Sequence, residues 1–234
     1  MLEIYKTLFS KYQLDLTDEQ YDLLSAYATL LHEESEVQNV TAVREISDMW
    51  VRHFLDAAYV LRYFPADDRS VIDVGTGGGI PGIPLAILCP NLEITLLDSE
   101  LRKIEFCQGA ISKLELKDRV QAVCGRAEEF GSDSQYRGRF DLAVSRAMAN
   151  GSMLTELSVP FLKVGGSLLA MKGRNYDPQS ERFAPAAEAL CAEMKPPIEY
   201  TLEGEQKYLI QVLKTHETPA QYPRRFAKIK RSPL

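Results

Sequence analysis

The chain has 234 residues, 45% hydrophobic and 26% charged, with a formal net charge of −6. That length suits one α/β domain with an appendage and a sizeable core. No apolar run reaches the roughly 18 residues of a membrane span, and the acid excess weighs against an extended grip on nucleic acid, which needs cations.

The charged N-terminus MLEIYKTLFSKYQ has no signal-peptide layout. Cys89, Cys107, Cys124 and Cys191 form no CxxC pair, and His32, His53 and His216 lie far apart. Reduced thiols, a cytoplasmic setting and no bound metal are therefore expected.

Residues 1–65 predict a helical appendage. Thr17-Asp18-Glu19-Gln20 has the pattern of a capping box, and Tyr21, Leu24, Ala28 and Leu31 follow at helical spacing. A polar stretch over 33–44 interrupts. Ser47 is placed to cap a second helix with the stripe Trp50, Phe54, Ala57, Leu61, off which Arg52 and His53 fall. Pro65-Ala66-Asp67-Asp68 reads as a linker into a core over 66–216. The segment 217–234 reads as a basic tail carrying Arg224, Arg225, Lys228 and Lys230.

Within the core, strands are expected over 71–74, 93–98, 120–123, 140–145 and 167–171. Helices are expected over 83–88, 100–114, 151–157 and 177–194, the last broken near Pro185. This alternation signals a mostly parallel sheet. Strands over 198–202 and 208–213 flank a turn with Gly204, too close for a parallel crossover, so they form an antiparallel hairpin. A parallel sheet ending in such a hairpin resembles the fold of methyltransferases that use S-adenosylmethionine (SAM). A dehydrogenase sheet is usually parallel to its end.

The most informative stretch is SVIDVGTGGGIPGIP over 70–84. Strand, glycine loop and helix bring backbone N–H groups up to a ligand. Gly77, Gly79 and Gly82 satisfy GxGxxG, so a dinucleotide stays open. Asp73 tilts the reading toward SAM, because a carboxylate before the loop suits an ammonium and repels a pyrophosphate. Asp98 ends the second strand, where it can take ribose hydroxyls or cap the next helix. Ala127 and Glu128 follow the third strand, in the loop that meets adenine in SAM enzymes.

The fourth strand ends in Ser145-Arg146-Ala147-Met148. It has neither the Asn/Asp-Pro-Pro-Tyr/Phe of exocyclic-amine methyltransferases nor the Cys nucleophile of pyrimidine C5 enzymes. What remains is an acceptor atom with a lone pair and no proton to lose, such as guanine N7. Methylating it requires in-line placement and no general base. Arg146 could grip a phosphate or the cofactor's carboxylate, or form a structural ion pair.

These motifs together resemble the bacterial small-subunit rRNA guanine-N7 methyltransferases (RsmG or GidB). The similar stretches are Asn39-Val40-Thr41-Ala42-Val43-Arg44, Val51-Arg52-His53-Phe54-Leu55-Asp56 and Ile72 through Pro84. Further on come Leu96-Leu97-Asp98-Ser99, Glu128-Glu129-Phe130, Val144-Ser145-Arg146-Ala147, Lys172-Gly173 and Tyr222-Pro223-Arg224-Arg225. The resemblance implies a class I SAM-dependent, Rossmann-like fold with an N-terminal helical appendage. It implies methyl transfer to guanine N7 in the 530 loop of 16S rRNA, with naked rRNA, an assembly intermediate and the finished small ribosomal subunit all open as the form met. A monomer without membrane contact is expected.

Expected cofactor contacts are Asp73, Gly75, Gly77, Gly79, Ile80, Asp98, Ser99, Ala127, Glu128 and Arg146. Candidate catalytic residues are Arg146, His53 and Arg52. The local cationic patch for RNA draws on Arg44, Arg52, His53, Lys172, Arg174, Arg224, Arg225, Lys228 and Lys230. The family's Arg-Ala-Phe is Arg146-Ala147-Met148 here, which removes an aromatic that could stack on a base. Two rival readings are an NAD-dependent oxidoreductase and a non-catalytic ribosome-assembly RNA-binding protein that kept a SAM pocket.

Overall fold

The structure is a computed structural model and describes residues 2–64 and 70–234. The expected linker Pro65-Ala66-Asp67-Asp68 lies outside the described residues. Helices α1 (Leu2–Lys11) and α2 (Asp18–Val37) open the chain. The capping box forms: Thr17 Oγ1 accepts from the Gln20 N–H, and the Gln20 side chain accepts from the Thr17 N–H. The Gln20 amide also donates to the carbonyls of Ile87 and Leu88, at the far end of a helix where acceptors have no intrahelical partner. One side chain thus starts one helix and docks it on another.

α3 (Ile46–Met49) runs through a π-helical turn, Trp50–Leu55, into α4 (Asp56–Val60). Ser47 does not cap it. The helix begins at Ile46, after Glu45, with no side-chain cap. Within this π turn Trp50, His53, Phe54 and Leu55 are all buried. His53, expected off the stripe, lies three residues after Trp50 and four before Ala57, on the flank of the apolar face, where neighbouring elements cover it. Arg52 stays exposed.

The core alternates β1 (Ser70–Val74), α5 (Gly82–Leu88), β2 (Glu93–Asp98), α6 (Leu101–Lys113) and β3 (Val120–Cys124). It continues with α7 (Ala127–Phe130), β4 (Phe140–Arg146), α8 (Gly151–Ser158) and β5 (Leu162–Gly173). These strands are parallel in the order β3-β2-β1-β4-β5. The order reverses between β1 and β4, which opens a crevice at their carboxyl ends.

Two short helices, α9 (Pro178–Glu181) and α10 (Phe183–Ala189), replace the expected helix over 177–194. The break falls at Arg182, whose φ of 53° is left-handed, and not at Pro185. Pro185 sits in the first turn of α10, where a missing N–H leaves no bond unmade.

β6 (Ala192–Met194), β7 (Ile198–Leu202) and β8 (Glu205–Lys214) complete the sheet. β8 runs antiparallel to β5, and β6 and β7 share its other side. The hairpin is therefore present. Glu203 and Gly204 join β7 to β8 with positive φ at both positions, as a two-residue primed turn requires. Pro196 and Pro197, between β6 and β7, have no N–H to give a ladder.

Apolar cores form on both faces of the sheet. One includes Phe9, Leu24, Trp50, Ile83, Leu96 and Ile111, so the N-terminal helices share it with α5 and α6. The other includes Ile72, Leu154, Phe161, Phe183 and Ile229. Ile229 belongs to α11 (Phe226–Arg231), so the C-terminal segment is folded rather than a free tail. Arg137 donates to the carbonyls of Gly131, Thr218 and Tyr222. Arg224 Nε and Nη2 grip the fully buried Glu156 carboxylate at 2.8 and 2.6 Å, and the Arg224 N–H donates to it at 2.9 Å. That guanidinium is committed inside the protein, which leaves Arg225, Lys228 and Lys230 as the exposed cations among the four expected there.

Candidate active site

A cavity of about 970 Å³ opens at the carboxyl ends of the parallel strands. Gly75 lines it after β1, Asp98 at the end of β2, Ala127 beyond β3, Arg146 at the end of β4 and Lys172 near the end of β5. Thr41, Arg52, His53 and Asp56 enter from the N-terminal helical region. Volume and position both suit a small-molecule site at a topological switch point.

The glycine loop is bonded mostly to itself and its supports. The N–H groups of Gly75 and Thr76 donate to Leu97 O, and those of Gly79 and Ile80 to Thr76 O. The N–H of Gly77 donates to Asp98 Oδ2 at 3.0 Å, and that of Gly82 to Asp73 Oδ2 at 2.9 Å. Few amides are left to cradle a pyrophosphate, which needs a nest of free N–H groups. Gly75, at φ 74°, is obligatory for a second reason: a Cβ there would come within 2.4 Å of Met148 Cγ.

Asp73 lies beneath the loop and does not face the cavity. It is fully buried, takes the Thr76 hydroxyl at 2.6 Å on Oδ2, and has no hydrogen-bond partner on Oδ1. Gly79 is also on the underside, against Ile83 and the Tyr27 hydroxyl. Both residues shape the loop from below.

Burial raises the Asp73 carboxyl to about 6, partly offset by the Thr76 and Gly82 hydrogen bonds. A carboxyl raised on folding favours the fold in its protonated form. That contribution is complete below about pH 4 and is lost as pH rises through about 6. Asp73→Asn is expected to remove this pH dependence, on the order of 2 kcal/mol. Urea unfolding at pH 4.5 and 7.5 checks it; an equal loss of stability in both proteins would show that another group titrates.

Asp98 bridges loop and helix, since Oδ2 takes the Gly77 N–H and Oδ1 the Glu100 N–H, each at 3.0 Å. Each oxygen accepts one N–H and retains a further lone pair, so capping leaves the carboxylate able to accept from a ligand. Ser99, Ala127 and Glu128 line the adjoining wall. Arg126 and Phe226 complete it, the guanidinium 5.4 Å from the ring centroid. The C-terminal helix is thus part of the cavity wall.

At the end of β4, Ser145 Oγ donates to Val74 O at 2.8 Å and is buried. Arg146 Nη1 donates to Arg52 O at 2.7 Å, and Nη2 to His53 Nδ1 at 2.8 Å. His53 Nε2 lies 2.8 Å from Thr41 Oγ1. Asn39–Arg44, the Arg52-His53 pair and Ser145-Arg146 therefore meet in space. The next residue, Ala147, has a φ of 54°, a left-handed conformation that costs a non-glycine residue about 1 kcal/mol or more.

Asp56 and Glu181, two of the cavity carboxylates, are tied to cations. Asp56 accepts from Lys207 at 3.1 Å and from the Tyr200 hydroxyl at 2.9 Å, all three buried. Glu181 pairs with Lys172 at 2.9 Å. Lys172 lines the cavity but is held in that pair and by Ala149 O. Arg174 and Arg52 are exposed at the rim. Arg44 is exposed outside it and bonds Ser35 O and Asn39 Oδ1.

Thr41, Asp56, Arg126, Lys207 and Phe226 were not singled out from sequence. Thr41 and Asp56 sit inside the quoted motifs, which was a usable signal. Lys207 and Phe226 carried none, because only the hairpin and the C-terminal helix bring them to the cavity.

A family model described as rRNA small subunit methyltransferase G (GidB) matches residues 20–198. The ribosomal RNA small subunit methyltransferase G of Clostridium botulinum is 37% identical over 224 residues, 94% of this chain and 93% of its own. The protein of that name from Streptococcus sanguinis is 36% identical, covering 99% of this chain and 98% of its own. Among solved structures, the O-methyltransferase TomG of Streptomyces achromogenes, in complex with SAM, superposes with a TM-score of 0.58 at 18% identity. That match covers 90% of this chain and 96% of TomG. A precorrin-6y C5,15-methyltransferase of Geobacter metallireducens matches at 0.52 and 15%, over 76% of this chain and 92% of its own. The structural likenesses establish a shared fold.

Proposed function

Because the chain belongs to the rRNA small subunit methyltransferase G family, we propose that it transfers a methyl group from SAM to N7 of a guanine in the 530 loop of 16S rRNA. The observation that carries this reading is the pairing of an internally bonded glycine loop with the Asp98 carboxylate at the crevice. That surface suits a ligand with ribose hydroxyls and no phosphate, so the dinucleotide of the oxidoreductase reading loses its support. When bound, SAM supplies an electrophilic methyl group on a sulfonium.

Asp98 would take the ribose hydroxyls, and Ala127 with Glu128 the adenine. Gly75, Gly77, Ile80 and Ser99 would wall the slot between, with Arg146 toward the amino-acid end. The residues need not remove a proton, since N7 presents a lone pair in the plane of the base. The site agrees with that demand. Asp56 and Glu181 are each paired with a lysine, and Ser145 is bonded to the backbone. What the chain supplies is alignment of donor and acceptor and tolerance of a cationic product.

Arg44, Arg52, Arg174, Arg225, Lys228 and Lys230 are exposed and would meet rRNA phosphates. The proposed substrate is 16S rRNA, free, in an assembly intermediate or in the small ribosomal subunit, met in the cytoplasm by a monomer. No described helix is long and apolar enough to cross a membrane. Reversing Arg225, Lys228 and Lys230 to glutamate is expected to weaken RNA binding. It should also flatten the salt slope by roughly 0.7–0.9 per lost phosphate contact, with SAM affinity unchanged. An unaltered slope in salt titrations would remove this surface from the interface.

Incubation with methyl-labelled SAM and small subunits from cells lacking the protein tests the function. Label in 16S rRNA is expected. Stable SAM binding without transfer would favour the assembly-protein reading.

A further inference from the structure

Among the described residues, His53 is the one histidine that lines the cavity, and its hydrogen bonds define its chemical state. A guanidinium has only N–H donors, so His53 Nδ1, 2.8 Å from Arg146 Nη2, must accept. An imidazolium donates from both nitrogens and could not. The ring is therefore neutral, with its proton on Nε2, donated to Thr41 Oγ1 at 2.8 Å. Thr41 Oγ1 also takes the Val43 N–H at 3.1 Å, and its two lone pairs allow it to accept from both.

We propose that His53 is a positioning residue: anchored by Thr41, its neutral ring holds the Arg146 guanidinium toward the amino-acid end of the cofactor. Arg146 is fixed at two points, the Arg52 carbonyl and the His53 ring. Its remaining N–H groups have no hydrogen-bond partner among the described residues, and it lines the cavity. They match the planar, bidentate demand of a carboxylate. This assignment replaces His53 as an RNA-binding cation, because the ring is 1% exposed and carries no charge in this arrangement.

The surroundings agree. Burial first, then the Arg146 charge, pushes the imidazole down to about 3, outweighing an opposing hydrogen bond with the Arg52 backbone. Asp56, the carboxylate close by, is tied to Lys207 and Tyr200. No titration of His53 is expected between pH 5.5 and 8.5.

The inference rests on the reading of Arg146 as a cofactor contact, and calorimetric titration with SAM separates the two. Arg146→Ala and His53→Ala are each expected to weaken SAM binding about 10-fold or more, as loss of one charged hydrogen bond does. The double variant should bind no worse than Arg146→Ala, because both act through one guanidinium. His53→Asn, whose amide oxygen can accept in place of Nδ1, should return affinity to within about 3-fold of wild type.

Wild-type affinity in Arg146→Ala would overturn the reading and the inference with it. Weakened binding there beside wild-type affinity in His53→Ala would overturn the inference alone. Nitrogen-15 NMR of the unmodified protein at pH 7 needs no variant to fold. The neutral Nε2–H tautomer is expected, and an imidazolium or an Nδ1–H ring would overturn the proposal.

Discussion

Gly77→Asp is expected to lower SAM affinity by at least about 100-fold, roughly 3 kcal/mol, while the protein stays folded. Gly77 has a φ of 58° and lines the cavity. A Cβ built on it meets nothing closer than Val40 O at 3.6 Å. Aspartate tolerates this left-handed backbone better than most residues, so the core has no reason to open. Its carboxylate would enter the slot beside the Val40 carbonyl and Asp98, where ribose and sulfonium are proposed to lie. Titration with SAM and a melting curve check both halves; full affinity in a folded variant would refute the loop assignment. Gly79 is the contrast. A Cβ there would come within 2.5 Å of Ile83 Cδ1 and 3.0 Å of the Tyr27 hydroxyl, so Gly79→Asp should cost stability first.

Arg224→Ala is expected to destabilise the fold by about 3–5 kcal/mol, the usual consequence of stranding one partner of a buried ion pair. The stranded group is Glu156, fully buried on α8, which loses both guanidinium donors and keeps only the main-chain N–H of position 224. Arg225→Ala, at an exposed neighbour, should stay within about 0.5 kcal/mol. Urea unfolding of the pair of variants reads the difference. Because Phe226 and Arg126 wall the cavity together, loosening the C-terminal segment should also raise KM for SAM. Equal stabilities for the two variants would show that Glu156 does not anchor this segment.

The parallel core was legible because each strand and helix declares its own period, and the hairpin because Gly204 sits between two apolar runs. What could not be read depended on distant partners. The burial of His53, at the flank of its helix's apolar face, depends on the distant Thr41 and Arg146 that close over the ring. The break at Arg182 rather than Pro185 reflects proline's tolerance of a helix's first turn. The folded C-terminus left one signal, Glu156 inside the otherwise uncharged MLTELSVPF. A charge in such a run asks for a partner, but sequence alone does not say which arginine answers. Asp73 was expected at the cofactor and instead braces the loop, because the same carboxylate can accept from either side of it.

For the site, the motifs placed Asp98, Gly75 and Arg146 on the cavity wall. Strand ends and loop glycines are fixed by local geometry, so their side chains face the crevice once the sheet forms. The cations were harder to assign. Lys172 looks like a free rim charge in the sequence, yet Glu181 captures it after a turn whose path only the folded chain reveals.

The proposed reaction is transfer of a methyl group to guanine N7 in the 530 loop. Mapping 7-methylguanosine in 16S rRNA from cells with and without this protein tests it most directly. The modification is expected at one guanine of that loop, present only when the protein is present. An unchanged pattern in its absence, or a protein-dependent mark on another atom, would contradict it.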